Sequence, residues 1–85
     1  MKITLDLPNN PYNFTFTWVG NHEIKVDLGH DGVVITANKD GLISLASQLL
    51  TLAQDDYEHG YDFHLDRYAG LEDDSIDLIV VKTIV

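Results

Sequence analysis

Cysteine is absent from this 85-residue chain, and with it go disulfides, thiolate metal sites and cysteine nucleophiles. Basic residues are scarce: five Lys and Arg stand against fourteen Asp and Glu, giving a formal charge of -9. Phosphate binding needs clustered Lys and Arg, so nucleic acid is a poor direct ligand and a basic protein partner fits better. No apolar run approaches the roughly 20 residues that span a bilayer, and Met1-Lys2 leads into alternating residues instead of the apolar stretch of a signal peptide. A cytoplasmic protein with no nucleic-acid or membrane ligand is the expectation. Internal repeats, low-complexity segments and linkers are also missing.

Length bounds the rest. Residues 1–85 make a single domain, and a chain of this size buries only about 60 to 65 % of its unfolded surface. Stability on the order of 4 to 13 kcal/mol is usual here, which leaves little to offset buried, unpaired catalytic charges. A deep active-site cleft is therefore not expected. The 45 % hydrophobic content is that of an ordinary globular domain and argues against disorder.

The charge that is present is local. Nine of the fourteen acids fall between Asp55 and Asp77, where Arg67 is the only base, so that stretch carries -8 and the remainder only -1. Such a block is either a solvated face or a surface for a basic partner, and blocks of charge are commonly no more than solvated.

Periodicity predicts an α+β fold: a mostly antiparallel sheet of about five to six strands, with one amphipathic helix packed on one face. Residues 2–7 alternate Ile3, Leu5 and Leu7 against Lys2, Thr4 and Asp6, as a half-buried strand does. Pro8-Asn9-Asn10-Pro11 breaks the pattern. Tyr12, Phe14, Phe16 and Trp18 then alternate with polar residues in a second strand, hairpin-paired to the first, whose aromatic stripe reads as core sooner than as a base-stacking platform. Glu23 to Leu28 and Val33 to Asn38 read as the third and fourth strands, separated by the turn signal Gly29-His30-Asp31-Gly32.

From about Asp40 to Asp55 the period becomes helical. Leu42, Leu45, Ala46, Leu49, Leu52 and Ala53 form the face expected to be buried, with Asn38 or Asp40 as cap. Opposite them Ser44, Ser47, Gln48, Thr51 and Gln54 are polar but uncharged, a face expected to be solvated or part of an interface. Tyr61 to Asp66 reads as a fifth strand, Arg67 to Ser75 as a loop pinned by Leu71, and Ile76 to Thr83 as a last strand in the sheet interior. One helix cannot cover all of this, so Val34, Ile79 and Val81 are expected to dock a partner or a second copy, making a homodimer possible.

Two constellations can be drawn as chemistry. Asp62, His64 and Asp66 share one strand face, but same-face neighbours stand roughly 6.5 to 7 Å apart, so three cannot converge on a metal without help from elsewhere. Ser75 with His64 and an Asp makes a nominal triad. No Gly-x-Ser-x-Gly turn surrounds it, and Asp73, Asp74 and Asp77 would oppose an oxyanion. Neither suggests an enzyme, a metal site or a cofactor.

Gly41-Leu42 at the helix start, Phe63-His64-Leu65-Asp66, Leu71, Glu72-Asp73, Ser75 and the closing Leu78-Ile79-Val80-Val81-Lys82 together resemble the bacterial immunity protein 32 family, over a little more than half the chain. Where members often carry a further His two residues before His64, this chain has Asp62. The resemblance implies an α+β antidote that binds and neutralises the toxic domain of a polymorphic or contact-dependent growth inhibition toxin, with no catalysis of its own. The residues then expected to bind the toxin are Asp55, Asp56, Glu58, Asp62, His64, Asp66, Glu72, Asp73, Asp74 and Asp77. The rival readings are a small enzyme or metal-binding domain centred on His64 and Asp66, and a structural homo-oligomeric subunit.

Overall fold

The computed structural model describes residues 1–10 and 12–84. In chain order it contains β1 (Ile24–Leu28), β2 (Val33–Ala37), α1 (Lys39–Ala53), β3 (Asp62–Leu65) and β4 (Leu78–Val81). β1 pairs antiparallel with β2, Val26 opposite Ile35, and β3 pairs antiparallel with β4, Phe63 opposite Val80. The fold is α+β, with α1 against β2 and β3.

Alternation and turn chemistry account for these pairs. Ile24 and Val26 are buried while Lys25 and Asp27 point outward, and Gly29 N–H closes the β1–β2 turn on Gly32 O at 2.6 Å. In β3, Phe63 and Leu65 go inward and Asp62 and His64 outward. The two sheets are joined through residues 72–76. Glu72 N–H donates to Ile24 O (2.9 Å), Ile76 N–H to Val26 O (2.7 Å), and Val26 N–H to Ser75 Oγ (3.1 Å). Leu71, buried in the core with Leu45, Leu52, Tyr57 and the inward strand residues, pins the same loop as expected.

The expected count of five to six strands is corrected to four among the described residues, because neither N-terminal segment pairs as a strand. Phe14, Phe16 and Trp18 do pack on the core. Their backbone, however, lies along α1: Thr17 N–H donates to Gln48 Oε1 (2.9 Å), Gln48 Nε2 donates to Thr17 O (2.6 Å), and Val19 N–H donates to Ser44 Oγ (2.8 Å). Helix side chains thus replace the neighbouring strand. Pro11, the end of the expected break, lies outside the described residues.

This arrangement rotates the helix in part from its apolar pattern, Leu45 and Leu52 staying in the core as expected. Asn38 caps it, accepting from Gly41 N–H at 2.7 Å, but Ser44, Ser47, Gln48 and Thr51 are fully buried while Leu42 and Leu49 are 56 % and 44 % exposed. Burial of the polar face is tolerable because every side chain on it is satisfied. Ser47 donates to Ile43 O and Thr51 to Ser47 O, as hydroxyls in helices commonly do. On the other side Leu42, Ile43, Ala46 and Leu50 meet Met1, Ile3 and Leu5 around an apolar groove of about 420 Å³. The polar face is therefore neither solvated nor an interface. β4 also differs from expectation: among the described residues it pairs with β3 alone, and its Ile79 and Val81 are exposed.

Candidate functional site

Three pieces of backbone carry the acids expected to bind a partner. Asp55, Asp56 and Glu58 sit in the turns after α1, which are tied to the end of the β3–β4 pair by Lys82 Nζ on Gln54 O (2.6 Å) and Gly60 N–H on Lys82 O (2.7 Å). Asp62 and His64 project from the outer face of β3. Asp66 begins the next turn, its Oδ1 accepting from Tyr68 N–H at 2.9 Å, and Glu72, Asp73 and Asp74 follow in the loop bonded to β1. All are exposed except Asp66, which is half-buried.

Neighbours divide the set. His64 Nε2 lies 2.8 Å from Asp77 Oδ2, and Lys25 Nζ lies 2.9 Å from Asp74 Oδ2 and 3.8 Å from Asp27. Asp55, Asp56, Glu58, Asp62, Glu72 and Asp73 have no ion pair among the described residues. Arg67, the one base of the stretch, turns to its neighbour, donating to Tyr68 Oη at 3.0 Å with its guanidinium 5.0 Å from the ring centre. Lys25 went unnoticed in the sequence as part of this region. Only its contact across the β1 edge brings it there.

A shallow hollow of about 350 Å³ adds residues the sequence did not single out. Asn13, Phe14, Gly60, Tyr61 and Asp62 line it, uniting two aromatic residues with one unpaired carboxylate. The residues of the two constellations drawn from the sequence have other partners. Ser75 Oγ is engaged by Val26 N–H, while His64 pairs with Asp77. Among the described residues no group of three His, Asp or Glu is placed to hold a metal ion.

With this geometry in view, residues 32–83 match the model of the family Immunity protein 32, more than half of the chain. The chain belongs to the Immunity protein 32 family. No curated protein and no solved structure matches it significantly. The matched region runs from the β1–β2 turn to just past β4, so every expected partner-binding residue lies inside the immunity protein match, and β1 with both N-terminal segments lies outside. Among the described residues no helix is long and apolar enough to cross a membrane.

The Lys25–Asp74 pair has a measurable signature. Its hydrogen bond and charge hold the Asp74 carboxyl below its ordinary pKa and raise that of Lys25. Asp74 therefore contributes stability above the ordinary carboxylate pKa that is lost as pH falls through its lowered value. Lys25 contributes below the ordinary lysine pKa, and its share is lost as pH rises through the raised one. Both groups are exposed, so the effect on stability is small. Carboxyl NMR titration should find Asp74 below the usual range and moved part of the way back by Lys25→Met, since the backbone hydrogen bond at Asp74 also lowers it and remains; an unchanged Asp74 titration in that variant would show the pair does not form.

Proposed function

We propose that this immunity protein binds a basic cognate toxin domain in the cytoplasm of the toxin-producing cell and blocks it through the surface carrying residues 55–77. The toxin belongs to a polymorphic or contact-dependent growth inhibition system. One observation supports the reading: six exposed acids of this stretch have no ion pair among the described residues, which leaves their charge to a partner. Acids in this state attract a basic surface during encounter and can lift association far above the 10⁵ to 10⁶ M⁻¹s⁻¹ of neutral partners. The hollow beside Asp62 gives one point of close contact. A carboxylate next to the aromatic residues Phe14 and Tyr61 suits an Arg side chain of the toxin, through charge and cation–π attraction together.

Inhibition of this kind needs no catalysis, metal or cofactor of the antidote's own. His64 contributes as a surface residue beside Asp77, and His64→Gln should leave protection intact, whereas loss of protection would favour the enzyme reading. The protein has no nucleic-acid or membrane ligand in this account. A homodimer is compatible with it, since Val34, Ile79 and Val81 are all exposed.

The test is co-expression with the toxin domain encoded beside the gene, followed by binding kinetics across salt concentrations. Neutralising Asp62, Asp66, Glu72, Asp73 and Asp74 together to Asn or Gln should slow association by about tenfold or more at low salt and flatten its salt dependence. Single replacement of a solvated acid should change little. Truncating an acid desolvated against a toxin Arg should instead cost roughly 2 to 5 kcal/mol, because the Arg is left unpaired. A parent that neither protects nor binds, or a neutralised variant that associates as fast as the parent at low salt, would overturn the proposal.

A further inference from the structure

β2 is an open edge whose unused backbone groups belong to Val33, Ile35 and Ala37. Asn38 N–H donates to Glu23 O (3.2 Å) and Gly29 N–H to Gly32 O (2.6 Å), which makes Glu23–Asn38 and Gly29–Gly32 hydrogen-bonded positions of the antiparallel ladder. Because such positions alternate, Lys25–Thr36 and Asp27–Val34 are hydrogen-bonded pairs too. The N–H and C=O of Val33, Ile35 and Ala37 therefore point away from β1. The same alternation turns the backbone groups of Ile24 and Val26 away from β2, where residues 72–76 take them up. No contact among the described residues does this for β2.

Nothing in β2 guards that edge. Its sequence, Val33-Val34-Ile35-Thr36-Ala37, has no charge and no proline, the usual protections of an exposed strand. Val33 is 60 % and Ile35 42 % exposed. Both lie on the face that buries Ile24 and Val26, past the end of the core and beside the exposed Leu28.

We infer that β2 pairs antiparallel with β2 of a second copy of this chain, centred on Ile35, so that the two β1–β2 pairs become one four-stranded sheet about a two-fold axis. The free groups are symmetric about that residue. Ile35 meets Ile35, and Val33 meets Ala37 in both directions, so each free N–H finds a free C=O. Charge agrees with this register: Asp31 and Lys39 flank the strand at equal distances from Ile35, so the Asp31 of each copy comes toward the Lys39 of the other. Pairing also sets Val33 beside the half-buried Ala37 of the second copy, extending the apolar strip across the junction. The acids of residues 55–77 lie in other elements. A contact through Ile79 and Val81 is less favourable, because His64 and Asp62 stand opposite them in the β3–β4 register and Asp77 is close by, setting acids of the two copies together.

This pairing does not depend on the toxin-binding reading, and the lack of native cysteine makes it easy to test. Single variants Val34→Cys, Ile35→Cys and Thr36→Cys are oxidised mildly while the parent is followed by sedimentation over a range of concentrations. In a hydrogen-bonded antiparallel pair facing Cα atoms stand about 5.5 Å apart, within disulfide reach. Residue 35 alone faces itself. The expected result is a reversible parent dimer and a disulfide dimer of Ile35→Cys forming at least about tenfold faster than in the neighbouring variants, whose like residues stand roughly 8 Å apart by the strand rise. Ile35→Lys should weaken the dimer by about 100-fold or more by opposing two ammonium groups, with its circular dichroism unchanged. A parent that stays monomeric at its solubility limit overturns the pairing, including the case where Ile35→Lys impairs toxin binding and the edge serves the toxin. Equal cross-linking at 34, 35 and 36 overturns the register.

Discussion

Gln48→Leu should destabilise the fold by about 2 to 6 kcal/mol, from roughly 1 to 3 for each of the two polar groups it orphans. Gln48 is fully buried, its Oε1 accepting from Thr17 N–H and its Nε2 donating to Thr17 O. Leucine fills nearly the same space and satisfies neither group. Thr17 has no strand neighbour to turn to, because residues 14–19 use the helix in place of a sheet. At this chain length the loss is a large part of the whole stability. The companion change, Leu49→Gln, removes a leucine that is already half in water and should cost about 0.5 kcal/mol or less. Urea unfolding of the two variants beside the parent decides between two helix orientations. If Leu49→Gln proves the more damaging, the apolar stripe of α1 faces the core and the polar face does not.

That rotation of the helix marks where the sequence stopped being informative. β1, β2, α1 and β3 were legible within a residue or two, because each combines a clear period with a local stop: Gly29 and Gly32 at one turn, Asn38 at the helix start, Gly60 before β3. Residues 2–7 and 12–19 carry equally clean alternation, yet alternation reports only that side chains take two faces. It says nothing of what bonds the backbone. For Thr17 the answer lies 31 residues away in a glutamine side chain that looks like an ordinary surface residue. The leucine-rich stripe of α1 was read correctly as apolar but only in part correctly as the core face: Leu45 and Leu52 are in the core, while Leu42 and Leu49 are exposed and a groove with Met1, Ile3 and Leu5 shelters part of that side. The family itself was legible from the helix start and the two C-terminal strands, which fall within the matched residues. The acids were visible as a composition bias, but which of them are spoken for was not. Lys25 reaches Asp74 only because the loop before β4 bonds to β1, and the hollow at Asp62 needs residues 13 and 14 beside 60–62.

Gly70→Ala is expected to be comparably severe, at about 2 to 6 kcal/mol, for two separable reasons. Gly70 has φ of 96°, a region where any side chain costs roughly 1 to 3 kcal/mol. A Cβ there would also lie 2.3 Å from Cη2 and 2.7 Å from Cζ2 of Trp18. The indole cannot easily yield, since it stacks on Phe16 at 5.7 Å and on His22 at 4.5 Å between ring centres. Forcing that overlap costs typically a further 1 to 3 kcal/mol. Gly60 separates the two terms: its φ is 87°, but a Cβ there would meet nothing within 4 Å, so Gly60→Ala reports backbone strain alone. Trp18 is the only tryptophan, and its fluorescence follows unfolding of each variant and any shift of the ring in the folded state. Gly70→Ala should lose more stability than Gly60→Ala and alter the folded-state emission, while Gly60→Ala leaves the emission unchanged. Gly70 also belongs to the Asp66–Gly70 turn that leads into Glu72 and Asp73. Equal stability losses in the two variants would mean that the Trp18 ring does not rest on Gly70 and that this turn is held by its backbone alone.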